Sequence, residues 1–113
     1  MRRPCPLAAL AALVALPALG QDREALDLFV RPDKGYCIAC HQLPAGMGPE
    51  TRSDLGPRLE GSRMRELGRD ALKDLIHDPM RRNAESVMPP YGRHRILEPR
   101  EIQRLSEFLH ALP

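Results

Sequence analysis

Cys37-Ile38-Ala39-Cys40-His41 limits what this chain can become more than any other stretch of it. The pattern Cys-x-x-Cys-His is the attachment sequence for c-type haem. On one helical turn, thiols three residues apart lie on the same side, within reach of the two vinyl groups of one porphyrin. The adjacent histidine then places its imidazole under the iron. A chain built around such a group wraps a large, flat apolar body, and the composition agrees. With two Phe, two Tyr and no Trp among 113 residues, a core of side chains alone would be thin. Two other uses of the cysteine pair stay open at this level. A redox dithiol has the same spacing but follows a strand in a βαβ pattern, and no period-two alternation occurs here. A zinc site needs four ligands and would have to recruit His94 and His110.

The first 20 residues read as a secretory signal peptide: Arg2 and Arg3, an apolar stretch from position 7 to 19, then small residues up to Gly20. Polar sequence starts at Gln21, so cleavage after Gly20 is expected, leaving residues 21 to 113 as one exported domain. Cys5 would leave with the leader. The mature chain then holds only Cys37 and Cys40, too close in sequence to staple a small fold as a disulfide framework does. The whole chain has 17 Lys+Arg against 15 Asp+Glu, and the surplus is Arg2 and Arg3. A neutral mature chain argues against nucleic-acid or anionic-membrane binding. No apolar run reaches the roughly 20 residues of a membrane span. The expected location is the periplasm.

Three helices are expected. Over residues 22 to 30, Ala25, Leu28 and Phe29 form one apolar stripe. Over 69 to 77, Leu72, Leu75 and Ile76 oppose Asp70, Lys73 and Asp74, and Asp78-Pro79 ends the helix. From 98 to 112, Pro99 suits the first helical position, and Ile102, Leu105, Phe108, Leu109 and Leu112 make the buried face. Glu98 is a weak capping residue beside Ser, Thr or Asp. Proline and glycine punctuate residues 43 to 61 too often for regular structure, and 80 to 97 are also irregular. Met64 is placed near a helix entrance, in contact with core or surface. The fold class is all-α, a small cytochrome c-like domain with long loops around one covalent haem.

His41 occupies one face of the iron. For the other, Met88 is favoured: Pro89-Pro90 stiffens the backbone behind it, Val87 walls the pocket, and it lies far enough along the chain to pass around the porphyrin. Met80 is the competitor, followed by the histidines. Met47 is too near His41 and would have to turn sharply around the ring edge. A sulfur ligand closes the sixth position and raises the reduction potential, which limits the haem to passing single electrons. A ligating histidine usually donates its other ring N–H to a carbonyl. Leu55-Gly56-Pro57-Arg58-Leu59 is a stiff loop able to present the Pro57 carbonyl, with Leu59 against the ring. Tyr91, Arg93 and Arg95 are candidates for the propionates.

These segments together resemble the SoxX family, the small monohaem cytochrome subunits of the SoxAX pair in periplasmic thiosulfate oxidation. The resemblance is carried by Cys37-Ile38-Ala39-Cys40-His41-Gln42-Leu43-Pro44, by the 55 to 59 loop, by Ile76-His77-Asp78-Pro79, and by the run from Asn83 through Val87-Met88-Pro89-Pro90-Tyr91-Gly92. It spans about residues 34 to 112. It implies that Cys37 and Cys40 hold haem c covalently and that His41 and Met88 are its axial ligands. It also implies a SoxA-like haem protein as heterodimer partner, which carries the L-cysteine S-thiosulfotransferase chemistry. There thiosulfate is coupled to a cysteine of the SoxYZ carrier and two electrons are released. This chain, without catalytic residues of its own, would accept them singly and pass them to a small cytochrome c. A free-standing class I cytochrome c shuttle is the alternative.

Overall fold

The computed structural model describes the backbone of residues 18 to 113. The expected leader therefore lies outside the described residues except for positions 18 to 20. Those three form the start of the first helix, α1 (Ala18–Val30). A 3-10 turn at Cys37–Ala39 follows, then α2 (Gly61–Leu67), α3 (Arg69–His77), a second 3-10 turn at Pro79–Arg81, and α4 (Pro99–His110). Among the described residues there is no strand, and the fold is all-α. No described helix is long and apolar enough to cross a membrane.

Among the described residues the α-helices number four where the sequence suggests about three. The addition is α2, whose seven residues begin at a glycine with no side-chain cap. Such a short segment has little helical stability of its own. Tertiary contacts hold it: the Gly61 N–H donates to Pro113 O at 3.0 Å, Arg65 donates to Leu112 O at 2.6 Å, and Met64 is buried. α1 starts at Ala18, ahead of the expected Asp22, and so runs across the expected cleavage point.

The framework is the packing of α1 on α4, with α3 against α4 and α2 touching both α3 and α4. The stripe on α1 supplies Ala25, Leu28 and Phe29, and α4 answers with Ile102, Leu105, Phe108 and Leu109. Phe29 and Leu105 are each only 1% exposed, and burying a side chain of this size is worth roughly 1.5–3 kcal/mol. Lys34 Nζ lies 2.8 Å from Glu101 Oε1, tying the segment after α1 to the first turn of α4. Arg104 and Glu24 pair across the same helices. The weak cap at Glu98 is compensated locally: Glu101 Oε2 reaches back to accept from the Glu98 N–H at 2.9 Å, one half of a capping box.

Candidate functional site

Val30 ends α1, and the chain turns through Tyr36, whose φ of 46° puts a non-glycine residue in the left-handed region. The next residues form the 3-10 turn, closed by Cys40 N–H to Cys37 O at 3.1 Å and His41 N–H to Cys37 O at 2.8 Å. Cys37 and Cys40 are free thiols, each half-buried. Burial pushes the Cys37 thiol up to about 12, with the neighbouring Cys40 adding to the shift. A reactive dithiol needs the opposite, a depressed pKa that supplies thiolate.

The 55 to 59 loop folds back on this turn. Gly56 N–H donates to Cys40 O at 2.8 Å and Leu59 N–H to Gln42 O at 2.9 Å. That places Pro57 O 2.7 Å from His41 Nδ1. A carbonyl oxygen only accepts, so in the neutral ring the proton sits on Nδ1 and Nε2 keeps its lone pair. Gly56 lies against the imidazole itself: a Cβ built there would sit 2.7 Å from Nδ1 and 2.9 Å from Nε2. No residue with a side chain fits without moving the ring or the loop.

Cys37, Cys40, His41, Pro57, Leu59, Met88 and Tyr91 all line one cavity of about 490 Å³. Its remaining walls are largely apolar, from Phe29 of α1, Met64 and Leu67 of α2, Leu72, Leu75 and Ile76 of α3, and Leu105 and Leu109 of α4. The volume falls in the range of small-molecule and cofactor pockets, roughly 300–1,000 Å³. Of the methionines and histidines considered for the second ligand, Met88 and Met64 line the cavity. Met47, Met80, His77, His94 and His110 are not among its lining residues. Met64 is 4% exposed and packed in the core, as befits a residue on a buried helix face. Met88 sits on a loop, half-buried, its N–H donating to Ser86 Oγ at 3.3 Å.

Other side chains lie differently from the sequence reading. Val87 borders the cavity but is 88% exposed, so it stands at the mouth, as does Leu55 at 74%. Tyr91 is buried, and burial, with the two cysteines adding, pushes its hydroxyl up to about 12. Arg93 does not line the cavity; its guanidinium donates to Asp78 at 3.2 Å. The sequence reading missed Arg82, Asn83 and Glu85 at the cavity rim, because exposed polar residues on a loop carry no periodic signal. It also missed the contact of Gly56 with the imidazole, for which the Gly-Pro pair in the quoted loop was the available sign. Among the described residues, no three His, Cys, Asp or Glu side chains converge as a zinc ion would need.

No protein-family model matches the chain, and no curated protein or solved structure matches it at a significant level.

Proposed function

We propose that the chain is an electron-transfer c-type cytochrome, holding one haem c in the 490 Å³ cavity. Cys37 and Cys40 would carry the haem through thioether bonds, with His41 and Met88 as axial donors. When bound, the haem supplies one-electron transfer. The observation that carries the reading is that two thiols, an imidazole and a thioether all line one apolar cavity, from segments as distant as residues 37 and 88. The donor chemistry fits. His41 Nε2 keeps its lone pair because Pro57 O engages Nδ1, and such a carbonyl strengthens the histidine as a ligand. The largely apolar walls match a porphyrin's faces, and the Met88 thioether, as a second iron donor, would leave no open site for substrate.

Within that class we place the chain nearest the SoxX subunits, as the electron-accepting half of a periplasmic SoxAX pair. The sequence resemblance over residues 37–44, 55–59, 76–79 and 83–92 supports this. So do Leu55 and Val87, exposed apolar residues at the cavity mouth. A lasting partner covers apolar surface, whereas a free shuttle usually presents a charged ring.

The test is expression with its own leader in a host that matures c-type cytochromes. The expected product is red, with a Soret band that survives denaturation because the haem is covalent. Met88→Ala is expected to lose the sulfur-to-iron absorption band and to gain carbon monoxide binding in the ferrous state. A colourless product refutes the haem reading. Affinity isolation from the native periplasm is expected to bring down a second haem-bearing chain; a chain always recovered alone would favour the free shuttle.

A further inference from the structure

The segment joining α3 to α4 carries Met88, and its two ends are tied together at one place. His77 O accepts from the N–H groups of Gly92 and Arg93, both at 3.1 Å. Asp78, only 5% exposed, adds one carboxylate oxygen to that tie and caps the 3-10 turn at Pro79–Arg81 with the other. Oδ1 accepts from the Met80 N–H at 3.2 Å, and Oδ2 accepts from Arg93 Nη1 at 3.2 Å. Gly92 rests against the His77 ring, where a Cβ would meet Cε1 at 2.8 Å, so the two ends approach more closely than a side chain would permit. Residues 78 to 93 are thus an Ω-type loop, pinched at its neck by one buried carboxylate.

The chemistry of that carboxylate gives the neck its strength. Charge-assisted hydrogen bonds are about twice as strong as neutral ones. A buried charge stripped of its partner is strongly disfavoured. Arg93 is the cation paired with Asp78 among the described ion pairs, and neither residue lines the cavity. Their effect on the site therefore has to pass through the loop.

We propose that Asp78 and Arg93 are positioning residues that lock this loop at its neck and so hold the Met88 thioether in the cavity. The proposal rests on the reading of the cavity as a haem site with Met88 as axial donor. An intact neck would keep the Met88 thioether available as a donor to the haem iron; an open one would let the loop lift and free it.

The experiment uses the haem-loaded protein and the variants Asp78→Asn, Arg93→Gln, the double substitution and Arg93→Lys. Carbon monoxide competes with Met88 for ferrous iron, so its apparent affinity reports how often the thioether is off. Each neutralising variant is expected to raise that affinity about tenfold, the factor carried by one charge-assisted hydrogen bond. The double variant is expected to add nothing beyond either single one, and Arg93→Lys to stay near the wild type. Amide exchange at Gly92 and Arg93 should quicken in the neutralising variants, with the amides of α1 and α4 unchanged. Should Asp78→Asn fail to take up haem, Arg93→Gln carries the test, since that side chain is 52% exposed. Unchanged carbon monoxide affinity in the variants of a wild type that resists the gas overturns the lock alone. A wild type that binds the gas as readily as Met88→Ala overturns the axial assignment, and the lock with it.

Discussion

At the scale of single residues, the site turns on how His41 is seated. Its ring is held from one side by the Pro57 carbonyl at 2.7 Å and bounded on another by Gly56, where there is no room for a Cβ. Gly56→Ala therefore has to push the imidazole or the 55 to 59 loop aside. Overpacking of this kind typically costs about 1–3 kcal/mol. The expected outcome is a fall of that size in unfolding free energy, read by denaturant titration, together with a shifted sulfur-to-iron band if haem is bound as proposed. Equal stability and an unchanged spectrum would mean that the ring is not seated against Gly56. Pro57 and Leu59 could be named from the chain alone, because a Gly-Pro turn is stiff and a ligating histidine needs a carbonyl. The contact of Gly56 with the ring could not, since it depends on where the loop folds back.

At the scale of elements, α4 shows what a local pattern reveals and what it hides. Its apolar face is plain from spacing, and Pro99 marks its start. Its cap looks poor until Glu101 is seen to serve both the Glu98 N–H and Lys34. Burial alone would raise the Glu101 pKa. The hydrogen bonds from Lys34 and the Glu98 N–H outweigh it, with the charges of Lys34 and Arg100 adding, so Glu101 lies below the ordinary 4.5. A folded-state pKa lower than the unfolded one means stability present above about pH 4.5 and lost as pH falls through the folded value. Glu101→Gln is thus expected to cost about 0.5–1 kcal/mol at pH 7, the scale of a partly exposed ion pair. It should also flatten the loss of stability on acidification, as measured by urea unfolding at pH 7 and pH 3. If the variant loses as much as the wild type on acidification, Glu101 does not carry that dependence. α2 was hidden for a different reason, being held by the chain's last residues rather than by its own sequence.

At the scale of the whole molecule, the fold is a shell of helices around a hollow. Among the described residues, fourteen buried hydrophobic side chains form one core cluster, and it borders the 490 Å³ cavity rather than closing over it. The apolar side chains that line it lack packing partners on that side. The expectation is that a chain unable to bind haem, the Cys37→Ala, Cys40→Ala double variant, loses most of its far-ultraviolet helical signal at 25 °C. Native-like circular dichroism in that variant would mean the four helices need nothing in their centre.

What the sequence determined by itself is what depends on neighbours a few residues apart. That includes the Cys-x-x-Cys-His turn, the stripes of α1, α3 and α4, and the stops at Asp78-Pro79 and ahead of Pro99, because helical periodicity and backbone restriction act over one or two turns. What only the tertiary structure decided depends on segments distant in sequence. Arg93 turns to Asp78 instead of the cavity, Gly56 lies against the His41 ring, and Gly61–Leu67 becomes a helix against residues 112 and 113. Such choices follow from which surfaces the folded chain brings together, and burial, charge pairing and close contact are properties of that meeting rather than of either segment alone.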